Sequence, residues 1–177
     1  MNSITRFDNW SNDSEELVNE QINMELRASM LYQSISAYFA RDNVGLLGIS
    51  EFFHKSSIEE SEHAKKFIDY QNKRGGKVVF KDITNLEYNY PGNNNEAHGS
   101  VLHAFYKALE MEQSIYKHLL KLHENADPQF ADFLESEFLS EQIDALYEIG
   151  VYITQIKKIG NNGYGIWEFN NKIVKTT

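Results

Sequence analysis

The sequence predicts an all-α fold: a bundle of four long helices, the middle two joined by one long crossover, followed by a short fifth helix. Three observations predict it. The 177 residues contain only two prolines, Pro91 and Pro128, so little interrupts a helix. Apolar residues recur at helical spacing between those prolines and the two ends. Short connections alternate with a single long one.

The first helix is expected from about Ser14 to Arg41, and the second from about Leu46 to Arg74, stopped by Gly75-Gly76. The third is expected from about Glu96 to His123. The fourth runs from Pro128 to Ile159, with Asp127 as N-cap, Pro128 at its first position and Gly160 past its end. Short loops make the first and second, and the third and fourth, antiparallel neighbours. The connection from Gly75 to Asn95, at about 3.3 Å per extended residue, is long enough to cross the bundle. It lets the third helix run parallel to the second, an up-down-down-up order. Within it, Lys77-Val78-Val79-Phe80 is placed to pair as a short strand. Asn161 to Gly165 reads as a turn, and Ile166 to Val174 as the short fifth helix. Residues 1–177 are expected to form one domain.

Composition narrows the function classes. With no cysteine, a disulfide framework, a thiolate zinc site and a thiolate-held iron–sulfur cluster are excluded. The net charge of −9 disfavours nucleic-acid binding, which needs a basic surface. No apolar run reaches the roughly 18 residues of a membrane span. Met1 to Asp13 lacks the apolar stretch of a secretory signal, and a cytoplasmic location is expected.

The core stripes carry the chemistry. Each long helix fits inward positions spaced four and three apart. In the fourth helix these are Ala131, Glu135, Phe138, Gln142, Ala145, Ile149 and Tyr152. Near the centre of each stripe a polar group interrupts: Glu25, Glu60 with His63, Glu112, and Gln142. Helices of similar length packed side by side bring their midpoints to one level. Three carboxylates, an imidazole and an amide should therefore meet in one layer. Burying those carboxylates uncompensated costs several kcal/mol each, on the order of what breaks a domain. Two divalent cations bridged by a carboxylate would offset that cost. Glu60 and His63 form a Glu-x-x-His pair on one helix face, and oxygen ligands with one imidazole suit iron or manganese. Glu51 and His54 repeat the pattern without partners at their level and read as a decoy.

Each residue also has a plainer reading. A polar core position can fix helix register, a lone His63 can be a satisfied core histidine, and Tyr32 a core tyrosine with a bonded hydroxyl. Only the coincidence of four midpoints favours the metal reading.

The segments Gln21-Ile-Asn-Met-Glu-Leu-Arg-Ala-Ser29, Glu59-Glu-Ser-Glu-His-Ala64, Asp127-Pro-Gln-Phe-Ala-Asp-Phe-Leu-Glu135 and Ser140-Glu-Gln142 resemble those of eukaryotic-type ferritin subunits. The resemblance covers about Glu16 to Ile159. It implies a ferritin-like fold and a ferroxidase centre of two irons per subunit. Glu25, Glu60 and His63 would hold the first iron, with Glu60 bridging to a second held by Glu112. Gln142 would lie beside that second iron, and Tyr32 would orient a ligand. The full set implies a catalytic, heavy-chain-type subunit. The resemblance further implies a hollow homo-oligomeric shell of twenty-four subunits, alone or mixed with a second subunit type. Asp132 and Glu135 match the acidic pair of its three-fold channels, with His123 near the same opening, and Glu59 and Glu62 match cavity-facing glutamates. First-turn acids and a solvated helix face are their ordinary readings.

Departures bear on the details. Lys65 stands where a further cavity glutamate is expected, and Ala145 where bacterial relatives often carry an acid. No methionine follows Glu60, so no haem is expected. The function implied is iron storage with oxidation of iron(II) by dioxygen, without nucleic-acid or membrane partners. A storage-only subunit, a di-iron enzyme acting on an organic substrate and a helical signalling bundle are the competing readings.

Overall fold

In the computed structural model, which describes residues 3–84, 86–92 and 96–173, the chain is helical and the described residues form no strand. The elements are α1 (Asn12–Phe39), α2 (Leu47–Lys73), α3 (Ala97–Glu124), α4 (Pro128–Leu134), a π-helical turn (Glu135–Leu139), α5 (Ser140–Ile159) and α6 (Gly163–Ile173). Side-chain contacts fix their directions. Ser29 bonds the Ser57 carbonyl and Ser36 meets Ser50, so α1 and α2 run antiparallel. Gln21 meets His118 and Tyr32 meets Glu112, so α1 and α3 are antiparallel and α2 and α3 parallel. Glu112 meets Gln142 and His98 meets Ile156, which sets α5 against α3. This is the expected up-down-down-up order.

The expected helix limits hold to within about a turn. Asp127 caps α4 by accepting from the amides of Gln129 and Phe130, with Pro128 following. Gly160 ends α5 with φ of 61°, a conformation that side chains disfavour. The fifth helix begins earlier than expected. Asn162 accepts from the amides of Tyr164 and Gly165, so the anticipated turn is already its first turn. Val174, its expected end, lies outside the described residues.

Lys77–Phe80 is not a strand, contrary to expectation. The segment lies along α1, where two asparagines one turn apart supply the partners that a neighbouring strand would supply. Asn19 donates to the Lys77 carbonyl and accepts from the Val79 amide, each at 2.8 Å. Asn23 does the same one step on, donating to Val79 O at 2.9 Å and accepting from Lys81 N at 2.7 Å. Further along the crossover, the Tyr88 amide donates to Ser34 at 2.7 Å.

The fourth helix departs from the predicted stripe. Phe130 and Leu134 are buried, while Ala131 is half-buried and Glu135 exposed. Downstream, Phe138, Gln142, Ile149 and Tyr152 are buried as expected. The stripe thus slips by one residue across the π-helical turn. Buried positions at 130, 134, 138 and 142 step by four each time. In a regular α-helix each such step overshoots a full turn by about 40°, so three would rotate the stripe off the core. The extra residue of the π turn absorbs the drift.

Finally, α6 folds back on the start of α2. Leu46 offers no cap of its own, and Asn170 of α6 accepts instead from the amides of Gly48 and Ile49, at 2.8 and 3.1 Å. A side chain at Gly48 would strike the Asn170 backbone carbonyl, its Cβ falling 1.8 Å from that oxygen.

Candidate metal centre

The packing of α1, α2, α3 and α5 brings the central polar residues together as the midpoint argument expects. Glu25, Glu60, Glu112 and Gln142 are buried, and His63 nearly so, with 12% of its side chain exposed. One ligand atom each from Glu25, Glu60 and His63 lies within 4.8 Å of the others. Nδ1 of His63 is 3.7 Å from Oε2 of Glu60, as their one-turn spacing allows. Beside this group, a cavity of about 130 Å³ is lined by Tyr32, Glu60, His63, Glu112 and Gln142, with Glu59, Glu141 and Glu148 among its other walls.

The two sides of the layer differ in how their carboxylates are held. Tyr32 donates to Oε1 of Glu112, and Nε2 of Gln142 donates to its Oε2. Glu25 receives a bond on Oε1 from Gln21 at 2.6 Å, and its buried Oε2 meets no donor, so that it is satisfied only by a proton shared with the neighbouring Glu60 or by a cation. A buried carboxylate oxygen with no donor is costly, and a cation is one way to satisfy it.

Burial drives the electrostatics. It pushes the Glu25 carboxyl well above the ordinary range, and the charge of Glu60 adds to the shift. Burial, then the charge of Glu112, pushes Glu60 up to about 8. Glu112 is also raised by burial, against the opposing hydrogen bonds from Tyr32 and Gln142. The Tyr32 hydroxyl is raised by burial and by Glu112, so it stays a donor. Without metal, the layer therefore keeps protons that a bound cation would displace.

The remaining expected residues fall elsewhere. Asp132 and Glu135 are exposed on the outer side of the α4–π segment, and Glu135 meets Nε2 of His123 at 2.7 Å. Glu59 and Glu62 are both exposed on α2, and Glu59 also borders the pocket beside the layer. Glu51 and His54 are exposed, as the decoy reading has it.

Three residues escaped the sequence reading. Gln21 lies one turn before Glu25, and that spacing was a usable signal. Glu141, next to Gln142, comes within 3.2 Å of His63 Nε2. His118, bonded to Gln21, carries no sequence signal at all, because only the packing of α3 on α1 brings it there.

A profile of the Ferritin-like domain matches residues 15–159. The chain is 43% identical over 170 residues to a protein named "Ferritin, chloroplastic" from Malus baccata var. xiaojinensis, covering 94% of this chain and 66% of that protein. It is 44% identical over 169 residues to "Ferritin-1, chloroplastic" of Brassica napus, covering 93% and 65%. The chain thus spans just under two thirds of the length of these curated relatives. Among solved structures, ferritin from the multicellular green alga Ulva pertusa superposes with a TM-score of 0.90 at 36% identity, over 98% of this chain and 89% of that one.

These names overturn the expected cytoplasmic location, since the relatives are named chloroplastic. The composition of Met1 to Asp13, on which that expectation rests, carries no information among compartments inside the cell. On the profile match, the identity and the shared architecture, the chain belongs to the ferritin family.

Proposed function

We propose that this chain is a catalytic, heavy-chain-type subunit of an iron-storage shell, oxidising iron(II) with dioxygen in the central layer and releasing iron(III) to mineralise inside. The observation that carries the reading is the unpartnered Oε2 of Glu25, set within ligand reach of Glu60 and His63. Iron is the substrate. Glu25, Glu60 and His63 would bind one ion, and Glu60 and Glu112 the other, with Gln142 beside it. Each iron(II) gives up one electron, and dioxygen takes both. The chain's part is to hold the ions close and to surround them with anionic oxygens, which favour iron(III) over iron(II). Tyr32 and Gln142 keep Glu112 aligned while this happens.

The size of the cavity favours ions and dioxygen over an organic substrate, which would need a pocket several times larger. Twenty-four subunits would enclose the mineral, with iron passing in along Asp132, Glu135 and His123, and Glu59 and Glu62 taking product from the centre. The names of the plant relatives favour a plastid as the compartment.

The test is the initial rate of aerobic iron(II) oxidation at low iron per subunit, for the parent against a Glu60→Ala, His63→Ala double variant. A fast phase in the parent that disappears in the assembled variant supports the reading. Equal slow rates in both would reduce the chain to a storage subunit.

A further inference from the structure

A hydrogen-bonded line leaves the central layer through residues with no assigned role. Gln21 is fully buried and donates from Nε2 to Oε1 of Glu25 at 2.6 Å. Its own Oε1 lies 2.6 Å from Nδ1 of His118. On the far side of that imidazole, Nε2 is 3.1 Å from Oε2 of Glu20, whose side chain is 37% exposed. The line therefore runs unbroken from Glu25 to the protein surface.

Its chemistry is constrained. An amide presents its NH2 to one neighbour and its oxygen to the other. For Gln21 to donate to a Glu25 carboxylate, its oxygen must face His118, so Nδ1 must carry a proton. The Glu20 carboxylate asks for a proton on Nε2 as well. Both demands are met only by the doubly protonated, charged imidazole. When His118 holds a single proton, Glu20 keeps it on Nε2, and Nδ1 presents a lone pair. The Gln21 amide must then turn its NH2 outward, and its oxygen faces Glu25.

We propose that His118 is a positioning residue for the metal centre: its charged imidazole, pinned between Glu20 and Gln21, holds the Gln21 amide in the orientation that supports Glu25 as a metal-ligating carboxylate. This rests on the reading of Glu25 as a ligand. The charged groups acting on His118 are Glu20 on α1 and Lys121 on its own helix. Burial lowers the imidazole below its ordinary range, Glu20 opposes this, and Lys121 adds to it. Support for Glu25 is therefore present at acid pH and fades as pH rises through the His118 titration.

Anaerobic cobalt(II) titration of the assembled protein, followed by its visible absorption, tests this across about pH 5.5 to pH 8. The proteins compared are the parent, His118→Leu, His118→Lys and Glu60→Ala. His118→Leu should bind cobalt about tenfold more weakly than the parent at the acid end, with the gap closing toward the alkaline end. His118→Lys keeps a permanently charged donor between the same two acceptors. It should match the parent at acid pH and hold its advantage over His118→Leu throughout. Equal affinity of parent and His118→Leu at every pH overturns the proposal. So does one pH-independent loss shared by the Leu and Lys variants, which would mark a packing role. If the parent binds no better than Glu60→Ala, the metal-centre reading itself fails, and this proposal with it.

Discussion

Tyr32 reaches from α1 to α3 and donates its hydroxyl to Oε1 of Glu112. With Gln142 on the other oxygen, Glu112 is aligned before any metal arrives. Glu25, with a bare Oε2, is not. One side of the layer is preorganised and the other is left for a cation to complete.

Removing that hydroxyl should loosen the prepared side. In Tyr32→Phe, the initial rate of aerobic iron(II) oxidation should fall about tenfold, with the shell still assembled. A variant oxidising as fast as the parent in stopped-flow absorption would leave Tyr32 as a core residue alone.

Metal binding should release protons. Glu25, Glu60 and Glu112 are all raised by burial, so the apo layer enters neutral solution partly protonated. Anaerobic zinc(II) added to weakly buffered apo protein near pH 7 should liberate more than one proton per subunit. Glu60→Gln should liberate fewer. A proton yield near zero, read with a pH indicator, would mean that the carboxylates were already ionised.

The same protons set the stability of the apo protein. Glu60 is raised from 4.5 to about 8, so above about pH 4.5 the folded chain holds a proton that the unfolded chain releases. Stability contributed by this group is therefore full at acid pH and lost as pH rises toward 8. The apo melting temperature should fall across that window. Glu60→Gln should flatten the fall and stabilise the apo protein at its upper end, by on the order of 2 kcal/mol. An unchanged slope in the variant would refute the assignment.

Asp127 joins the α3–α4 corner to α2. It caps α4, pairs with Arg74, and Arg74 stacks over Trp10 with its guanidinium 4.4 Å from the ring centroid. Arg74 holds the Asp127 carboxyl below its ordinary value, so the stability from this pair is present above about pH 3.8 and is lost on acidification. Asp127→Ala should cost about 1 to 2 kcal/mol in urea unfolding, and Asp127→Asn less, because it keeps the cap. Equal losses in the two variants would assign the effect to the ion pair alone.

What could be read in advance, and what could not, follows from the range of the interactions. Glu60 and His63 share a helix face by local spacing, and Asp127-Pro128 announces a helix start by local chemistry. Those were legible. The coincidence of Glu25, Glu112 and Gln142 at one level was legible because helices of equal length align. The asparagine pair that replaces a strand partner was not, since Lys77–Phe80 has ordinary strand composition and its fate is set by α1. The π turn was hidden because Ala131 and Glu135 fit a regular stripe as well as Phe130 and Leu134 do. His118 and Glu141 reach the site through packing between helices, which no single segment encodes.

Asn170 supplies the first turn of α2 with one shared acceptor, its Oδ1, from 122 positions downstream of Gly48. During synthesis, at about 5 to 20 residues per second, that turn must wait on the order of ten seconds for its cap to emerge. Until then the amides of Gly48 and Ile49 face water and the helix end frays, while the stretch around Glu60 and His63, three turns further in, is already free to dock on α1. The metal layer can therefore take shape on the nascent chain before the end of the bundle is sealed, and the arrival of α6 is the step that closes it.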